Sequence, residues 1–118
     1  MKDMKHGTSK VVQVLGNDYT IYYGNATQYP VLTDLDGACD TSTRSIFIDS
    51  CSTASSSNEA KGNLQVHKQH ITRHELIHAF LYESGLDACV PWVTEEMVDW
   101  LAIQSPKLFK LFQDTRCI

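Results

Sequence analysis

Apolar residues in the first fifty positions come in short runs separated by turn formers. Val11-Val12-Gln13-Val14-Leu15 is rich in β-branched residues and stops at Gly16-Asn17-Asp18, which predicts a strand followed by a turn. Tyr19-Thr20-Ile21-Tyr22-Tyr23 predicts a second strand closing at Gly24-Asn25, and the two runs suit a hairpin. Asp36-Gly37-Ala38-Cys39-Asp40 reads as a further turn, and Arg44-Ser45-Ile46-Phe47-Ile48-Asp49 as a short third strand. Residues 50–63, rich in Ser, Thr and Asn, read as a surface loop, with a flap over a cleft as the functional alternative.

The period then changes. Ile71, Leu76, Ile77, Phe80 and Leu81 recur at helical spacing within 64–83, and Gly85 fits the position just past the helix end. Thr94 is placed to cap a second helix over 95–104. Ser105-Pro106 pairs a capping residue with a proline at the first helical position, predicting a third helix through Leu108, Phe109, Leu111 and Phe112. Strands followed by helices make an α+β chain, in which a small N-terminal sheet packs on the 64–83 helix and two C-terminal helices.

Composition narrows the class. A chain of 118 residues, 42% hydrophobic and 20% charged, suits one globular domain spanning 1–118. The net charge is −4 and no Lys/Arg cluster stands out, so no nucleic-acid partner is expected. The polar start, Met1 to Gly7, leads into no apolar stretch, so neither a signal peptide nor a membrane span is expected, and the localisation read from this is cytoplasmic. Cys39, Cys51, Cys89 and Cys117 form no C-x-x-C pair and read as small buried thiols; a Cys39–Cys51 disulfide is the alternative for an exported chain.

The chemistry concentrates at His74-Glu75-Leu76-Ile77-His78, an HExxH pattern. On a helix, His74 and His78 lie one turn apart on one face, where both imidazoles can reach a single zinc ion. Glu75 is rotated by about 100° from His74, which suits it to take a proton from water rather than to bind the metal. A catalytic zinc site needs a third protein ligand. No histidine follows His78, which leaves Glu83, Asp87, Glu95, Glu96 and Asp99 downstream, or His67 and His70 upstream. Three ligands stacked along one straight helix converge poorly, so a carboxylate from a second helix fits better and gives a His₂Glu set.

HExxH followed by Glu95-Glu96-Met97-Val98-Asp99 resembles the gluzincin arrangement, HExxH then E-x-x-x-D. More narrowly, it is similar to the small ImmA/IrrE-type and related phage or prophage metallopeptidases, whose second motif reads like E-x-x-A-N-x-F-A. Glu95 and Ala102 match that frame, while Val98, Asp99 and Leu101 replace Ala, Asn and Phe. The resemblance covers roughly residues 64–104. It implies a minimal zincin-like domain with Glu95 as third zinc ligand and Asp99 supporting a ligand histidine. Helix geometry agrees, since Glu95 and Asp99 are at i and i+4. Asp99 is also at i+3 from Glu96, so the register with Glu96 as ligand stays open.

The expected activity is that of a zinc metallopeptidase. Glu75 would take a proton from a water acidified by zinc and return it to the leaving amine. Tyr82, at i+4 from His78, is a candidate catalytic oxyanion donor, against the plainer reading of a packed ring with its hydroxyl at the surface. His67 and His70 are further candidate donors. Ile46-Phe47-Ile48 is the candidate edge strand for an extended peptide, as the resemblance to zincins implies, or else a core strand. Trp92 and Trp100 read as packing. The expected partner is a protein or peptide substrate, and the family setting suggests a narrow regulatory target. The alternatives are a catalytically quiet module stabilised by zinc and a zinc hydrolase of a non-peptide bond.

Overall fold

The computed structural model describes residues 8–50, 61–86 and 90–118. The 50–63 loop reading (apart from its ends), the Cys39–Cys51 pairing, Cys51, Cys89, Asp87 and the first seven residues lie outside them.

Four strands form one mixed sheet: β1 (Thr8–Val14), β2 (Asn17–Gly24), β3 (Gly37–Asp40) and β4 (Ser45–Asp49), in the order β1-β2-β4-β3. Helix α1 (Lys61–Glu83) lies against the sheet, and α2 (Glu95–Asp114) packs on α1. The chain is therefore α+β. Among the described residues, no helix is long and apolar enough to cross a membrane.

β1 and β2 form the expected hairpin, antiparallel with Val14 opposite Asn17. Its turn sits one residue earlier than the sequence suggests. Leu15 (φ 50°) and Gly16 (φ 87°) are both left-handed, as a two-residue loop of type I′ requires. Leu15 is thus a turn residue rather than the end of a strand.

β2 and β4 run parallel, with Ile21 opposite Ile46 and Tyr23 opposite Ile48. The long connection that parallel strands need is residues 25–44, which include a 3-10 turn at Pro30–Leu32 and β3. Alternation places Tyr19, Ile21, Ile46 and Ile48 on one face, all buried, where they form a core with Val14 and with Ala79 of α1. On the other face Tyr22 stacks on Phe47 with centroids 5.3 Å apart, and Tyr29 packs against both.

Two expectations for the first half are corrected here. The segment 36–40 is not simply a turn, because Gly37–Asp40 pairs with β4 as an antiparallel strand. β4 in turn is not an edge strand, since β2 occupies one side of it and β3 the other. The sheet edge beside α1 belongs to β3.

The helix ends follow local chemistry. Gly85, at φ 91°, closes α1, with Leu86 N–H donating to the Leu81 carbonyl at 2.8 Å. The Thr94 side chain caps α2 by accepting from Met97 N–H at 3.1 Å. The expected break at Ser105-Pro106 is absent: a single helix runs from Glu95 to Asp114 with Pro106 inside it. Proline cannot donate to the carbonyl four residues back, which is that of Ala102. Arg73 Nε of α1 donates to that carbonyl instead, at 2.6 Å. The bond lost inside α2 is replaced by one that ties α2 to α1.

Candidate metal centre

Helical periodicity gives α1 a histidine face of His70, His74 and His78, one turn apart. α2 crosses this face, with Val98 and Ala102 fully buried in the contact. That packing brings the first turn of α2 to the HExxH residues. His74 Nε2 lies 2.9 Å from Glu95 Oε1, and His78 Nε2 lies 2.9 Å from Glu95 Oε2. The two imidazole rings are 5.0 Å apart, centroid to centroid. One ligand atom from each of His74, His78 and Glu95 can be chosen so that all three lie within 4.8 Å of one another. Among the described residues this is the one such group of metal-ligating side chains.

Asp99, one turn beyond Glu95, completes the arrangement. Its Oδ1 accepts from His74 Nδ1 at 3.0 Å and from His70 Nε2 at 2.8 Å. Burial pulls the Asp99 pKa up, but the hydrogen bonds from His74 and His70 outweigh it and hold the carboxyl below its ordinary range. An ionised carboxylate only accepts, so the proton at this contact sits on His74 Nδ1, and Nε2 is left to face Glu95. For His74, burial opposes charge, yet its bonds to Asp99 and Glu95 outweigh burial and raise its pKa. A cation among these atoms would take the place of the proton on Nε2. Two imidazole Nε2 atoms and a carboxylate are a donor set that suits zinc.

Glu75 lies beside this group and is not part of it. Its side chain is 7% exposed and points toward β3. Burial pushes its pKa up to about 7, with His74 pulling it down and Glu95 adding to the rise. A carboxylate of that basicity can both take and give a proton near neutral pH.

β3 approaches α1 closely at this point. A Cβ at Gly37 would meet Ile71 Cγ2 at 2.7 Å and Glu75 Oε2 at 3.1 Å, so only glycine lets the strand come this near. A cavity of about 550 Å³ opens between the β3 edge and the helices, bordered by Glu75, His78, Glu95, Leu35 and Ala38.

Comparison with protein-family models, curated proteins and solved structures finds no match to this chain. Geometry therefore carries the reading.

His74, Glu75, His78, Glu95 and Asp99 are brought together. Other candidates are placed elsewhere. Glu96 lines a cavity together with His74, Glu95, Asp99, Trp100 and Ile103, but its carboxylate is not among the three ligand groups that converge. Glu83 is committed to structure, accepting from Tyr19 Oη at 2.8 Å, Asn17 Nδ2 at 2.8 Å and Arg44 Nε at 2.9 Å. Tyr82 is 38% exposed and does not border the cavity that holds Glu75 and His78. Its surroundings fit the surface reading better than that of an oxyanion donor. His67 lies 3.5 Å from Asp36, and His70 is engaged with Asp99. Gly37 was not anticipated as a site residue. Its only signal was an Asp-Gly pair that equally suits a turn.

Proposed function

We propose that this chain is a zinc-dependent metallopeptidase with a zincin-like arrangement, of the His₂Glu kind. The observation that carries the reading is the convergence of His74 Nε2 and His78 Nε2 on the two oxygens of Glu95, with buried Glu75 beside them and outside the donor set.

In this reading His74, His78 and Glu95 hold the ion, and Asp99 fixes the His74 tautomer. Zinc, when bound, supplies a positive charge that polarises a carbonyl and acidifies water. Glu75 takes the proton of the attacking water and then gives it to the leaving amine. Its burial serves this role, because desolvation disfavours the charged carboxylate and makes it a stronger base than an exposed glutamate.

Among the described residues β3 is an outer strand of the sheet and borders the same cavity, and an extended peptide can pair with its edge by strand addition. The resemblance to ImmA/IrrE-type metallopeptidases extends the proposal to a single regulatory protein as target.

The test is Glu75→Gln. The variant is expected to retain zinc while peptide cleavage falls at least about 100-fold, the lower range for loss of a general base. A zinc-loaded variant that cleaves as fast as wild type removes Glu75 from the mechanism. Such a result would favour a zinc-stabilised module or a different hydrolase.

A further inference from the structure

His70 lies beside the candidate metal centre and touches it through Asp99. It belongs to neither the HExxH motif nor the convergent donor group. Its Nε2 is 2.8 Å from Asp99 Oδ1, the same oxygen that receives His74 Nδ1 at 3.0 Å. We infer that His70 is a positioning residue: through Asp99 it fixes the orientation of His74 and so sets the metal affinity of the site. This rests on the reading of His74, His78 and Glu95 as ligands.

The geometry explains why a second donor is needed. Asp99 is carried on α2, and its side chain is 42% exposed, so water competes for its oxygens. The terminal torsion of an aspartate is broad, and one hydrogen bond from His74 leaves the carboxylate free to swing. His70 sits one turn before His74 on α1 and is 25% exposed. Its N–H reaches the same oxygen at 2.8 Å. Two donors from one rigid helix then hold one acceptor from the next helix, and His74 Nε2 stays aimed at Glu95. His70 cannot also serve the reaction as a donor through Nε2 while that N–H is engaged with Asp99.

The requirement is for a donor at the position of the histidine Nε2, not for a titrating ring. His70→Gln offers an N–H there, whereas His70→Phe keeps the ring shape without one.

The experiment is zinc affinity by chelator competition on wild type, H70F, H70Q, D99A and the H70F/D99A double variant, each checked for cooperative thermal unfolding. Removing a direct partner of a ligand histidine typically weakens metal binding by about 10–100-fold, and D99A is expected in that range. H70F acts one step further out and is expected to weaken binding by roughly 3–10-fold. H70Q should stay within about twofold of wild type, and H70F should add nothing once Asp99 is absent. A general structural role would instead weaken both backgrounds alike, and H70Q as well as H70F.

Equal zinc affinity of H70F and wild type overturns the inference, as does an equal loss in the D99A background. Wild type that binds no zinc overturns the reading of the site, and the inference with it. Should H70F fail to unfold cooperatively, H70Q against a His70→Leu variant reads the same contrast.

Discussion

Leu15 holds φ at 50° in the β1–β2 turn, a conformation that costs an ordinary L-residue roughly 1–2 kcal/mol. Its side chain is 54% exposed, so little packing compensates for the strain. Asparagine tolerates this region, and Asn-Gly is the preferred pair for the turn. Leu15→Asn should therefore stabilise the protein by roughly 0.5–1 kcal/mol, raising Tm by a few degrees for a domain of this size. Differential scanning calorimetry checks it; an unchanged or lower Tm would mean that the turn carries no strain worth relieving. At the same scale, Glu75 shows how position alone sets chemistry. It follows His74 directly, yet it is turned off the ligand face and buried against Gly37, and its basicity follows from that burial.

Between elements, the Arg73–Ala102 contact accounts for both the course of α2 and its attachment. A buried carbonyl left without a donor costs about 1–3 kcal/mol, so Arg73→Met should destabilise the protein by that order. In a Pro106→Ala background the helix supplies its own N–H, and the same substitution should cost less by roughly 1 kcal/mol. A urea-unfolding cycle on the four proteins gives this coupling, and additivity would show that Arg73 does not replace the missing bond. The same contact explains what the sequence hides. Pro106 after Ser105 has every local mark of a helix start, and its neutralisation comes from Arg73 in another element, 29 positions before the Ala102 carbonyl it serves. β3 is obscured in the same way. Asp36-Gly37 and Asp40 are turn formers, and only pairing with β4 makes Gly37–Asp40 a strand. The candidate site pairs were legible for the opposite reason: His74 with His78, and Glu95 with Asp99, are spaced by the helix itself. Which of Glu95 and Glu96 faces the histidines depends on how α2 crosses α1, and in the structure it is Glu95.

For the whole molecule, Glu83 is the tie between the sheet and the end of α1. It joins Asn17 and Tyr19 of β2 to Arg44, the turn residue just before β4. The Arg44 hydrogen bond, followed by that of Tyr19, holds its carboxyl below the ordinary glutamate pKa. A lowered folded-state pKa means that this stabilisation is fully present above the unfolded value of about 4.3 and is lost as pH falls through the lower folded value. Stability measured by denaturant titration should fall with acid below about pH 4.5, and Glu83→Gln should flatten that part of the profile. An unchanged slope would remove Glu83 from the acid sensitivity. In the proposed function, packing of α2 on α1 assembles one zinc site from His74, His78 and Glu95. Anomalous diffraction at the zinc edge, on crystals of the zinc-loaded protein, tests it most directly. The expected result is one ion about 2.0–2.2 Å from His74 Nε2, His78 Nε2 and a Glu95 oxygen, with Asp99 on His74 Nδ1 and Glu75 off the metal. An ion held by Glu96, by Glu75 or by residues away from α1 would contradict it.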